Sequence, residues 1–186
     1  MKIPLDDHVA RVLAQWARER PELDTTPVGI VARVGRLARY LDQGHERLFA
    51  PHGLRREGWD VLASLRRSGA PYRLSPTELY LGLMRTSGAM TNRLRRLEDA
   101  GLVRRVVDPS DGRSLLVELT DAGRRMVDEL APLHIANERA MIGALSAREQ
   151  EQLSQLLAKL LAAFEADDQR PPGPRPRPDE LGDSSA

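Results

Sequence analysis

In one short stretch the chain sets Ser87, Thr91 and Asn92 beside Arg93, Arg95 and Arg96. Short hydroxyls and amides can approach the edges of base pairs, while arginine bridges to guanine or to phosphate. Gly88, next to Ser87, lets the start of a helix come close to a phosphate, which free backbone N–H groups favour. A further arginine, Arg113, lies in the turn Asp108-Pro109-Ser110-Asp111-Gly112 and just beyond it. At the tip of a β-hairpin such a residue can enter a narrow minor groove; a surface pairing with Asp111 is the alternative. Other chemistry finds little support. The histidines His8, His45, His52 and His134 are scattered, without a pair at ligand spacing on one helix, and there is no cysteine. Neither a metal site nor a cofactor is therefore expected. With no glycine-rich phosphate loop and no nucleophile elbow, an enzyme is not expected either. Asp60 with Glu57 reads as a helix-surface pair.

These side chains need elements to hold them. Met90, Leu94 and Leu97 fall on one face of a helix predicted over Thr86–Ala100, and the polar set falls on the other. Ser75-Pro76-Thr77-Glu78 combines an N-cap serine, a proline at the first helical position and a glutamate at the third, a capping box that opens a helix through Met84. Arg85-Thr86-Ser87-Gly88 reads as the tight connection between the two, and Ala100-Gly101 as the end of the second. The outline is a helix-turn-helix. Leu102–Val107 and Leu115–Thr120 then read as two strands joined by the turn at Asp108–Gly112, a hairpin placed where a wing belongs. An amphipathic basic surface helix is the plain alternative for Thr86–Ala100, but the capped helix before it and the hairpin after it weigh against that.

Around this centre lie longer apolar helices. Residues 6–20 form a short amphipathic helix carrying Val9, Val12, Leu13 and Trp16. Pro27–Phe49 follows with a long stripe that includes Val28, Val31, Val34, Leu37 and Leu41, and Glu57–Arg67 with Trp59, Val61, Leu62 and Leu65. Asp121–Gly143 and Ala147–Phe164 close the helical part. Gln169–Ala186, rich in proline, glycine and serine without apolar periodicity, reads as a disordered tail. The expected fold class is mainly α with a small β-hairpin wing.

The net charge of +1 conceals an asymmetry. Residues 54–125 hold 14 arginines against 9 acidic residues, a local charge of +5, while residues 126–168 are net acidic. A basic middle fits one face meeting a polyanion such as double-stranded DNA, although clustering on solvated faces would look the same. Apolar runs are far shorter than a membrane span, and the start of the chain turns acidic where a signal peptide would be apolar. A cytoplasmic location without membrane contact is expected.

The stretches Leu74-Ser75-Pro76-Thr77-Glu78-Leu79, Ser87–Leu94, Arg96–Val103, Asp108–Ser114 and Leu119–Gly123 together resemble the MarR family of transcriptional regulators, over about residues 27–165. The resemblance implies a winged helix-turn-helix of about 54–125 within a domain of 27–165, preceded by an extension at 1–26 and followed by the tail at 169–186. It also implies a homodimer built from helices at 27–50 and 121–165, reading a pseudo-palindromic operator as a repressor released by a ligand. The family usually has Asp-Arg-Arg where this chain has Asp111-Gly112-Arg113, so one wing arginine is missing. The extra N-terminal helix with Trp16, together with Asp60 and Arg105, resembles the urate-responsive branch, in which such residues help form a ligand pocket; Ser68 stands where that branch has Asn. On that resemblance Arg105 would hold a small anionic aromatic ligand such as urate or another purine metabolite, Trp16 would stack on it, and Asp60 would be repelled. Packing for Trp16 and a salt bridge between Asp60 and Arg105 are the alternative. A winged-helix interaction or dimerisation module without DNA binding is the rival for the whole chain, opposed by the +5 middle and by the outward set Ser87, Thr91, Asn92 and Arg95.

Overall fold

The computed structural model describes residues 6–83 and 87–168, with the side chains of residues 87–89 and 167–168 outside the described set. The tight connection read at Arg85-Thr86, the hydroxyl of Ser87 and the tail at Gln169–Ala186 thus lie outside the described residues. Packing divides the described residues into two compact units, one ending at Met141 and the other beginning at Ile142.

In the first unit the Asp7 carboxylate accepts the Ala10 N–H at 2.7 Å and so opens α1 (His8–Glu19). Such a cap satisfies a helix N–H that has no partner inside the helix. Helix α2 (Thr26–Phe49) carries Pro27 in its first turn, where the missing N–H costs nothing. A single 3₁₀ turn at Ala50–His52 and Gly53, at φ 69°, redirect the chain into α3 (Arg56–Arg67). Helix α3 is the centre of the core: Trp59, Val61, Leu62 and Leu65 are buried and meet Phe49, Leu79, Leu94, Val117 and Leu130 from other elements.

Beyond α3 comes a short strand that the sequence reading does not include, β1 (Arg73–Leu74). Then follow α4 (Pro76–Gly82), α5 (Ser87–Asp99), β2 (Val103–Val107), β3 (Leu115–Leu119) and α6 (Asp121–Met141). The expected hairpin of β2 and β3 is therefore part of a three-stranded antiparallel sheet of order β1-β3-β2, with Arg73 opposite Glu118 and Val103 opposite Leu119. The capping box opens α4 as the sequence predicts: Ser75 N–H donates to Glu78 at 2.7 Å and Glu78 N–H to Ser75 Oγ at 3.1 Å. Gly101, at φ 67°, ends α5, and Leu102 N–H closes back on the Leu97 carbonyl at 2.9 Å. This left-handed stop favours glycine because a Cβ there is strained.

The second unit holds α7 (Ala147–Asp168), which runs further than the predicted Phe164. Ser146 and Glu149 make its capping contacts, with Ser146 N–H donating to Glu149 at 2.8 Å. No helix among the described residues is long and apolar enough to cross a membrane.

Candidate nucleic-acid interface

Helix α5 is fixed from beneath and bare on top. Met90, Leu94 and Leu97 are buried in the core, while Thr91, Asn92, Arg95 and Arg96 are exposed and Arg93 is half-buried. The apolar spacing of three and four residues makes this division, because it sets those three residues on one side of the helix. Ser87 and Gly88 begin the helix; their side chains are among those outside the described set. Among the described residues, Arg95, Arg96 and Arg113 have no carboxylate partner. Asn92, Arg93 and Arg96 also line an open groove of about 290 Å³, whose other wall carries Arg55 and Glu57 at the start of α3.

The wing closes on its own backbone. Asp108 accepts the Ser110 N–H at 2.8 Å, and Asp111 accepts the Arg113 N–H at 3.1 Å and the Ser114 hydroxyl at 2.7 Å. Asp108 N–H donates to the Ser114 carbonyl at 2.9 Å. These are side-chain-to-backbone turns of the kind Asp favours. Hydrogen bonding to Ser110 holds the Asp108 carboxyl below the ordinary aspartate range. Asp111 therefore holds the main chain of Arg113, and the guanidinium stays exposed instead of forming the surface pair considered from the sequence.

At its base the wing is tied down by charge. Glu118 on β3 is only 4% exposed. Arg104 Nε donates to its Oε1 at 2.7 Å, and Arg73 donates to Oε2. Burial pushes this carboxyl up, but the hydrogen bonds from Arg104 and Arg73 outweigh it and the net direction is down. One carboxylate thus joins all three strands. Thr120 adds a second tie. Its hydroxyl donates to the Gly101 carbonyl at 2.7 Å and accepts the Gly123 N–H at 3.0 Å, joining the end of α5 to the start of α6. Gly123 is needed at this junction, since a Cβ there would lie 2.0 Å from the Leu102 carbonyl oxygen.

The residues read as a ligand pocket have separate partners in the protomer. Arg105 Nε donates to Glu98 of α5 at 3.0 Å, so the salt bridge imagined with Asp60 is replaced by one to the neighbouring helix. Ser68 caps α3 by donating to the Leu65 carbonyl at 2.7 Å. Trp16 is 44% exposed and lines a shallow depression with Gln15 and Glu19. Asp60 lies close enough to His134 for its charge to act on that ring. The expectation of scattered histidines also needs correction, because His45 and His134 come together from α2 and α6 with Glu138 beside them. The spacing of His134 and Glu138, one helical turn apart, was the signal available in the sequence.

A helix pair that presents a polar, cationic second helix, followed by a sheet with a cationic tip, defines a winged helix-turn-helix protein built to bind DNA. Comparison with known proteins gives the narrower class. Residues 52–114 match the model of the MarR family. The chain is 35% identical over 152 residues to the HTH-type transcriptional regulator PecS of Dickeya dadantii, covering 82% of this chain and 92% of the relative. It is 29% identical over 147 residues to the HTH-type transcriptional repressor NicR of Pseudomonas putida, covering 77% of this chain and 91% of the relative. The fold matches a mutant MarR of Escherichia coli solved in complex with operator DNA, with a TM-score of 0.65 and 27% identity over 73% of this chain and 94% of that one. The chain belongs to the MarR family and is a DNA-binding transcriptional regulator.

Proposed function

We propose that the protein is a homodimeric repressor that reads a pseudo-palindromic operator, with one α5 helix in each of two successive major grooves. The observation that carries this reading is the exposed face of Thr91, Asn92, Arg95 and Arg96 on a helix whose other face is locked in the core. Ser87, Gly88, Thr91, Asn92, Arg95 and Arg96 meet base edges and phosphates, Arg93 acts at the flank, and Arg113 reaches the adjacent minor groove. Residues 27–165 act as one regulatory domain, with 1–26 as an extension. Dimerisation is supported by Val31, at 70% exposed, with Ile30, Leu37 and Tyr40 also bare on α2. A soluble monomer rarely leaves such a stripe in water, and a second copy of the same helix face covers it in a two-fold assembly. Leu156, Leu161 and Phe164 of α7 are exposed in the same way.

Release by a small anionic aromatic compound, with urate as the first to try, follows from Arg105. A ligand anion that takes Arg105 from Glu98 loosens the wing base from the helix that reads the DNA, while Trp16 offers an exposed ring for stacking.

The test is a DNA-binding titration across a salt series, with DNA from just upstream of the protein's own gene. Steep loss of affinity with salt is expected, because each phosphate contact releases counterions. Failure to bind both that DNA and a random-site library overturns the operator reading. Sedimentation at micromolar concentration decides the dimer. Urate at millimolar concentration weakens DNA binding, and Arg105→Ala blunts the response; no change in DNA affinity or melting temperature ends the urate assignment.

A further inference from the structure

Helices α2 and α6 approach closely at Gly44, where a Cβ would lie 2.2 Å from the Met141 methyl carbon. The next residue, His45, faces His134 and Glu138 of α6. Oε1 of Glu138 stands 3.4 Å from Nε2 of His45 and 3.4 Å from Nε2 of His134, and the three donor atoms lie within 4.8 Å of one another. Two donors bound at zinc-ligand distance to one tetrahedral ion are about 3.4 Å apart. The carboxylate therefore already stands at a tetrahedral edge from each imidazole, and the third pair of donors lies within 4.8 Å.

His45 is 7% exposed, and among the described residues neither of its ring nitrogens has a hydrogen-bond partner, the Glu138 oxygen being near Nε2 without the geometry of one; Nδ1 of His134 is also buried and without a hydrogen bond there. A neutral imidazole carries one donor and one acceptor, and leaving both unmet away from water is costly. Phe49 and Trp59 wall the rings, with centroids 5.6 and 5.2 Å from that of His134. Burial pushes the His134 imidazole below its ordinary range, the neighbouring His45 acts in the same direction, and Glu138 opposes them. Glu138 is half-exposed, which leaves a route in from solvent. Imidazole nitrogen with one carboxylate suits zinc and its transition-metal neighbours rather than magnesium or calcium.

We propose that His45, His134 and Glu138 form a binding site for a divalent transition-metal ion, with zinc as its chemical type, that clamps α2 to α6. Two imidazoles and one carboxylate supply three ligands, and water fills the open position. Because Trp59 of α3 packs edge-on against His134, and α3 packs on α5, occupancy stiffens the support of the DNA-reading helix.

The experiment uses the full chain, dialysed against a chelator and titrated with Zn²⁺ alone in competition with a chromophoric chelator. One ion per protomer and a higher melting temperature are expected, and Co²⁺ should give the visible absorption of a tetrahedral nitrogen–oxygen site. Glu138→Gln, at a half-exposed position, and His134→Gln should each weaken Zn²⁺ binding about tenfold or more. Metal-free melting of Glu138→Gln should match the parent chain and so exclude misfolding as the cause. Absence of saturable binding in the parent chain, or equal affinity in the parent and both variants, overturns the site.

Discussion

The arginines at the base of the wing and those on the exposed face of α5 and at the wing tip are the same residue put to opposite uses. Arg73, Arg104 and Arg105 each have a carboxylate, Glu118 for the first two and Glu98 for the third. Arg95, Arg96 and Arg113 have none among the described residues. Electrostatics account for the division. A guanidinium already engaged by a carboxylate has less left for phosphate, whereas one held in water exchanges its hydration and the counterions of DNA at small cost. In the proposed complex with DNA the base sets geometry and the surface supplies attraction. Charge counting alone cannot separate the two, which is why a local charge of +5 said so little by itself.

The largest effect should come from breaking the base. Gly123→Ala drives a Cβ into the Leu102 carbonyl and should destabilise the fold by about 3 kcal/mol. Thermal melting checks this, and a change under about 0.5 kcal/mol would show that the junction can yield. Next comes the surface. Arg95→Ala should cost about 1–3 kcal/mol in operator binding while leaving the melting temperature unchanged. Parallel loss of both would move Arg95 to the structural group.

Glu118→Gln should lower stability by about 1–2 kcal/mol, less than a fully buried pair because Arg104 can turn to solvent. The acid limb of the stability curve should change with it. Glu118 is depressed in the folded state, so its contribution is complete above the ordinary value of 4.5 and is lost as pH falls through the lower folded value. Denaturant melts between neutral pH and the acid range should show a shallower decline in the variant, and parallel curves would refute the assignment. The smallest change is a gain. Gly112 has open space around it, so Gly112→Arg should leave the fold intact and tighten DNA binding by about 0.5–1 kcal/mol. The salt slope should steepen by about one for each added phosphate contact.

What the sequence made legible was local. Ser75 with Glu78, and Met90 with Leu94 and Leu97, act within one or two helical turns, so α4 and α5 could be placed from their spacing alone. Strand β1 could not, because two residues carry no period and Arg73 becomes a strand residue only by pairing with Glu118. Long-range juxtapositions failed for the same reason. Arg105 found Glu98 on the helix before it rather than Asp60, and His45 met His134 only because α2 and α6 cross at Gly44. The exposed stripe of α2 was visible as apolar periodicity. That it stays bare in the protomer is a tertiary fact.

The closed turn at the wing tip has a consequence for how such a regulator changes over generations. The carboxylates of Asp108 and Asp111 accept only from residues two or three positions away, and one backbone bond, from Asp108 N–H to the Ser114 carbonyl, closes the loop on itself. Substitutions at Gly112 or Arg113 are thus insulated from foldability. In the proposed complex the wing's contact with DNA can thus be altered one residue at a time, whereas a side chain at Gly123 meets the Leu102 carbonyl.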